Sequence, residues 1–446
     1  MIENIINHFD RMNNLVAPAT DYPVMMTIYL GVFLFSFLAC AFLMLSPHGR
    51  RVVWLPDQRK VIKSRFNYMA MLACTFTGVF LVGSFPSELQ NTYGTWNADL
   101  YYTLGETSIN LVAGIYSFAV YKKRSSVVLN SLSIVIGLST SIPLAATTIL
   151  LPLNLGSDAM RLVFIVSLIF AFVVLAFLSV KYDLLVKYSR LNIFVFFVTT
   201  IALFTTITTF DNSNVDPSKI LPFQGMLNPE PWKEMMINPY WWYFEATVVS
   251  WSIFCGRFIA YCSSGYSVRG VVGMGSLSVI IITVIWHVVS AATGYTLSFS
   301  RGIIIYALTA ITMMSFAVTS LDSASKTLLN DITRLYGEKG KKDKSNSMLY
   351  LLMGGQGLLN VIILYTGVPR IFTMLLCLIF IPYLVKALVH CFKFGTGKLD
   401  YSNSGTITLE EYIKISNEEP DKVNFERFVT VDEISGQKKL NNKTNE

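Results

Sequence analysis

The sequence predicts an all-α polytopic membrane protein of about eleven transmembrane helices, on three observations. Of its 446 residues, 53% are hydrophobic and only 14% charged, where a soluble domain carries about 25% charged residues. Apolar runs of membrane-spanning length, about 20 residues, recur along the chain. The basic residues between those runs fall almost wholly in alternate loops. This composition excludes a disordered chain and argues against a soluble enzyme. The net charge of +7 is spread over loops and forms no nucleic-acid patch; basic residues beside spans report orientation instead.

Eleven spans are predicted: 22–46, 66–86, 100–121, 127–153, 158–180, 190–209, 238–262, 271–293, 302–323, 348–366 and 370–393. Residues 1–21 hold Glu3, Asp10 and Arg11 and read as an extracytoplasmic N-terminal segment rather than a cleavable signal peptide. The transmembrane domain is 22–393. The polar, mixed-charge stretch 394–446 reads as a cytoplasmic tail, partly helical or disordered, without a polybasic lipid motif. One set of loops carries about nineteen Lys and Arg, among them Arg50, Arg51, Lys123, Lys187, Arg269 and Lys339. The other carries about five: Arg161, Lys219, Lys233, Arg301 and Arg370. The positive-inside rule then puts the N-terminus outside the cell membrane and the C-terminus in the cytoplasm. The longest outer loop, 210–237, leads through Tyr240, Trp241 and Trp242 into a helix, as interfacial aromatics do. The six cysteines lie in or beside apolar runs, with no C-x-x-C pair, and the four histidines are scattered. Neither a disulfide framework nor a structural zinc site is expected.

Polar residues inside spans are costly and mark pathways. Four places carry them. Glu245 shares a helical face with Val248, Trp251, Ser252 and Cys255; it reads either as a pocket carboxylate or as an acid reaching interfacial water. Glu106 lies one to two turns inside the third span, as a ligand or as a partner of neighbouring groups. In 317–326, Phe316, Thr319, Ser320 and Ser323 share a face beside Asp322. Their oxygens suit a weakly held alkali cation; small-residue helix packing is the alternative. In 73–88, Gly78, Gly83 and Pro86 interrupt an apolar span after Cys74, Thr75 and Thr77, as in a broken helix beside a cavity. The interrupted spans 66–88 and 238–262 stand five spans apart, the layout of inverted-repeat transporters.

Together these segments resemble the betaine/choline/carnitine transporter (BCCT) family. In 244–272, Ser250, Trp251, Ser252, Phe254, Gly256, Phe258, Ile259, Ala260, Ser263, Gly265 and Arg269 match its signature helix and turn in order. Phe316 to Ser325 is similar to its Thr-Ser-Ala-Asp-Ser-Ala-Ser motif, with Leu321 departing. Phe66, Ala70, Met71, Leu72, Gly78 and Glu88 follow its first broken helix; Gly105 to Tyr121, then Gly137, Thr140 and Ser141, then Lys187, Ser189 and Asn192 are weaker matches.

The resemblance, over 22–393, implies a leucine-transporter-like fold of two inverted five-helix repeats. It implies sodium-driven uptake of a quaternary ammonium or related cationic or zwitterionic solute such as betaine, choline or carnitine. Membrane lipid is the surrounding partner, and trimers occur in that family. By position it implies a sodium site at Phe316, Thr319 and Ser320 completed near Cys74 and Thr77, and a second cation site at Thr140 and Phe254. It puts the solute at Phe244, Glu245, Val248 and Trp251, facing Glu106 and Ile109.

This chain departs from the family at the solute. A quaternary ammonium is held by cation–π attraction to Trp and Tyr, but the matching positions are Leu104, Ile109, Val112, Glu245, Thr247 and Val248; Trp251 alone is retained. A carboxylate can replace an aromatic cage for an ammonium that keeps N–H donors. The family's first span and most of its outer lid between Gly294 and Arg301 have no counterpart here. The alternatives are a proton-coupled amine exchanger and a transport-inactive sensor that keeps the fold. A membrane enzyme lacks any matched catalytic constellation.

Overall fold

The computed structural model describes residues 22–55, 64–83, 105–120, 123–153, 157–181, 184–206, 239–293, 302–336, 351–362 and 369–418. Its helices are α1 (Tyr22–Leu45), α2 (Arg65–Gly83), α3 (Thr107–Val120), α4 (Arg124–Leu150), α5 (Asp158–Lys181) and α6 (Leu185–Thr205). They continue as α7 (Pro239–Cys262), α8 (Val268–Thr293), α9 (Ile303–Tyr336), α10 (Leu351–Ile362), α11 (Pro369–Gly395) and α12 (Leu409–Glu418). Each of the eleven predicted spans holds one of α1 to α11. Among the described residues six of these, α1, α4, α5, α6, α8 and α9, are long and apolar enough to cross a membrane. Phe35 and Leu38 on α1, Phe170 and Val174 on α5, and Phe194 and Ile201 on α6 point outward uncovered, as a lipid-facing belt requires. The protein is an all-α polytopic membrane protein.

The packing of the helices repeats with a period of five. α3 packs on α7, and α8, five further on, packs on α2. α4 on α7 is matched by α9 on α2, α6 on α2 by α11 on α7, α6 on α9 by α11 on α4, and α3 on α11 by α8 on α6. Two five-helix units, α2–α6 and α7–α11, are therefore built alike. The five crossings per unit expected from sequence would make the second enter from the opposite side, as an inverted repeat does. This is the leucine-transporter-like arrangement the resemblance implies. The repeats approach most closely at α3 and α7, where a Cβ on Gly256 would stand 2.6 Å from the Ala113 carbonyl carbon and one on Gly114 2.9 Å from Ile259. Glycine at both places lets the backbones meet.

Three features differ from the sequence expectation. α2 continues through Gly78 to Gly83 without a break, because no water inside a bilayer competes for a helical glycine's backbone groups. α9 runs 34 residues, about 51 Å, well past position 323; the charges of Asp322, Lys326 and Asp331 end the apolar window, yet all three side chains are buried against neighbouring helices.

The third is the described part of the tail, which is folded. Strand β1 (Val52–Val53), in the loop after α1, pairs antiparallel with β2 (Thr406–Ile407). Val53 also bonds the α7–α8 turn, donating to the Tyr266 carbonyl at 2.8 Å and accepting from Gly265 at 2.9 Å. Arg51 lies 4.1 Å over the Tyr401 ring and donates to the Thr406 hydroxyl and carbonyl, each at 3.2 Å. Thr408 and Glu411 form a reciprocal capping box on α12: the Thr408 amide donates to the Glu411 carboxylate at 2.7 Å and the Glu411 amide to the Thr408 hydroxyl at 3.2 Å.

Candidate functional site

The predicted cation residues meet where α2, α6 and α9 come together. Phe316, Thr319 and Ser320 are buried on α9 and Cys74 on α2. Thr77 is on α2, its side chain outside the described residues. The Thr319 hydroxyl lies 2.9 Å from the Phe316 carbonyl and 3.1 Å from that of Ser315. Asn192 of α6 reaches into this junction: its Nδ2 is 3.0 Å from the Thr319 hydroxyl, 3.2 Å from the Ser315 carbonyl and 3.8 Å from Cys74 Sγ. Its Oδ1 is buried and has no hydrogen-bond partner among the described residues. The Cys74 thiol donates to the Ser189 carbonyl at 3.8 Å. It faces α6, so the side chain of Cys74 is committed to helix packing.

These donors fit the sodium ion that the resemblance implies. They are neutral hard oxygens, hydroxyl and carbonyl, with the orphaned Oδ1 of Asn192 beside them. Such a set suits a monovalent alkali cation, not a divalent one that selects carboxylates. Asp322 faces elsewhere: the Ser179 hydroxyl of α5 donates to it and Lys326 Nζ stands 3.6 Å away.

The second repeat presents the related junction of α4 and α7. The Ser133 hydroxyl of α4 accepts the Phe254 amide at 3.0 Å and donates to the Ser250 carbonyl. Those are groups one turn apart on α7, so Ser133 of α4 bridges successive turns of that helix. Phe254 is buried there; Thr140 is on α4, its side chain outside the described residues.

Of the predicted solute residues, Glu106 just before α3, Ile109 on α3, and Val248 and Trp251 on α7 are buried. Phe244 and Glu245 are on α7 with side chains outside the described residues. Trp251 is a tie between helices. Its indole N–H donates to the Thr75 carbonyl of α2 at 3.3 Å, and its ring meets Phe254 edge-on at 4.7 Å. It also covers Gly137 of α4 so closely that a Cβ there would stand 1.8 Å from the ring. The Cys255 thiol shares the Thr75 carbonyl at 3.7 Å.

Two polar features were not anticipated from sequence. Asn110, in the first turn of α3, follows Glu106 by four residues; it is fully buried, and neither atom of its amide has a partner among the described residues. Polarity inside span three was the available signal. The other is an ion pair, Arg257 of α7 with Asp331 of α9, both wholly buried. Asn130 of α4 donates to Asp331 at 2.8 Å, Tyr261 also donates to it, and Arg257 reaches Ser126 at 3.4 Å. Asp331 lies outside the predicted ninth span, and that hid the pair.

No protein-family model matches the chain, and no curated protein matches it. Among solved structures it is similar to the substrate-bound, outward-open state of a Na+-coupled sialic acid symporter. The identity is 12% and the TM-score 0.46, over 76% of this chain and 80% of that one. At that level the likeness assigns neither solute nor ion.

Proposed function

We propose that the chain is a cation-coupled secondary transporter of the BCCT type, taking up an amine solute by alternating access. Sodium is its coupling ion. The observation that carries this reading is the buried, neutral, oxygen-lined junction of α2, α6 and α9, set at the meeting of two five-helix units packed alike. Loops rich in Lys and Arg stand on the side where α1 ends and α2 begins, which makes that side cytoplasmic. Inward sodium movement then gains about 2.3 kcal/mol per charge per 100 mV of inside-negative potential.

Glu106 and Asn110 set the solute class. A quaternary ammonium offers no hydrogen bond, whereas a buried carboxyl one turn from an unpartnered amide favours an ammonium that keeps N–H donors. Trp251, tied to three helices, is the one family cage residue retained, and it is engaged in packing. The solute is a primary or secondary amine in preference to betaine. The test is uptake into liposomes of a series differing only in N-methylation. Uptake that rises as methyl groups are removed is expected; preference for the trimethylated member would overturn the solute class. The locked Trp251 favours one other reading, a transport-inactive sensor. Specific binding without flux by folded protein would establish it.

A further inference from the structure

We propose that Asn192 is a two-way switch at the α2–α6–α9 junction. Its amide nitrogen holds the junction's acceptors together, and rotation of the amide turns Oδ1 inward as a ligand for the cation. This rests on the sodium reading above.

The orientation of the amide is fixed by its neighbours. The Ser315 carbonyl, 3.2 Å away, can only accept. Thr319 has one hydroxyl hydrogen, directed at the Phe316 or Ser315 carbonyl at 2.9 or 3.1 Å, so toward Asn192 at 3.0 Å it accepts. Cys74 Sγ, 3.8 Å from the same nitrogen, gives its hydrogen to Ser189. Three acceptors on two helices, α9 and α2, therefore converge on one amide nitrogen of α6 that has two hydrogens to give. That nitrogen presents to them what a cation presents: positive charge at short range.

The other end of the amide is the second observation. Oδ1 belongs to a side chain with no solvent exposure and has no partner among the described residues. Buried amide oxygens are almost always satisfied, because leaving one unpaired costs about 1–3 kcal/mol. Asn χ2 is a soft, roughly two-fold torsion, and its oxygen and nitrogen occupy nearly equal volumes. A half-turn exchanges them without repacking. The present arrangement pairs the nitrogen and orphans the oxygen. The exchanged one offers the oxygen, with Thr319 and the α9 carbonyls, to a monovalent ion and orphans the nitrogen. Each arrangement leaves one end unpaired, and that balance lets an ion decide between them. With the half-turn Asn192 gives up its direct bonds to α2 and α9, so occupancy of the site changes how α6 is tied to both.

The test is thermal unfolding of the purified full chain in detergent, titrated with sodium against N-methylglucamine at constant ionic strength. Wild type, Asn192→Ala, Asn192→Asp and Thr319→Val are compared. A sodium-specific rise in wild type is expected, with Asn192→Ala raising the half-saturating sodium about tenfold or more. Asn192→Asp, nearly isosteric, sets a carboxylate against the junction's acceptors. It is expected to lose stability without sodium and to show a larger sodium shift than wild type. If Asn192→Ala titrates as wild type while Thr319→Val loses the response, Asn192 is no ligand and the sodium site stands. If Asn192→Ala does not fold, an Asn192→Asp shift no larger than wild type overturns the switch. Absence of a sodium-specific shift in wild type overturns the switch and the sodium reading together.

Discussion

Trp251 joins α2, α4 and α7 through one hydrogen bond, one edge-on ring contact and one bare glycine, so its packing can be tested apart from any role toward the solute. Trp251→Phe keeps the ring and loses the N–H to Thr75, a loss of about 1 kcal/mol in stability. Gly137→Ala cannot be accommodated without moving the indole and should cost more than Trp251→Phe. Thermal melts in detergent check both; a Gly137→Ala protein as stable as wild type would contradict this packing. The pair Arg257–Asp331 gives a second prediction. Replacing either partner alone strands a buried charge and should cost about 3–5 kcal/mol, while the double replacement Arg257→Met with Asp331→Leu should recover much of it. Equal losses for single and double variants would contradict the pair. At this scale the sequence was uneven. Thr319 and Ser320 were legible because hydroxyls in an apolar run are conspicuous. Asn192 showed only as a weak match, and Asp331 was invisible, because a partner 74 positions away cancels its charge only in the fold.

The folded tail is the element with the clearest pH response. Asp400 accepts from the Ser402 amide and hydrogen-bonds with that residue, which holds its carboxyl below the ordinary value; bonds to the Thr408 amide and hydroxyl do the same for Glu411. A carboxylate whose pKa is lowered by folding stabilises the fold above its unfolded pKa, and that contribution is lost as pH falls through the folded one. Docking of 398–415 should therefore be pH-independent near neutrality and weaken as pH drops through and below about 4. Hydrogen exchange over that segment measures it; protection unchanged in acid would remove the two carboxylates from the account. Arg51→Ala should loosen the same segment at neutral pH, since Arg51 binds both Tyr401 and Thr406. Helix α12 was within the expectation of a partly helical tail; the tail's docking was not readable beforehand. The strands are two residues each, and a pairing between positions 52 and 407 leaves no local periodicity. The spans, by contrast, were legible to within a few residues where their ends are described, because membrane thickness dictates their length. α9 overran furthest, where buried charges imitate a loop.

At the scale of the whole molecule, the period of five in helix packing is what turns a set of spans into a machine with two related halves. The sequence hinted at it only through two glycine- or polar-interrupted spans five apart. The halves share no repeated motif, so their equivalence is visible only as contacts. The junctions that matter are related in the same way: α9 with α2 and α6 in one, α4 with α7 in the other. If the first is a coupling site, its hydroxyl must control the use of a sodium gradient. The most direct measurement is amine uptake into liposomes at fixed membrane potential, with and without an inward sodium gradient, for wild type and Thr319→Val. The account predicts gradient-driven accumulation by wild type, and by Thr319→Val a folded protein that equilibrates its solute without responding to sodium. Accumulation by Thr319→Val equal to wild type, with the same sodium dependence, would contradict it.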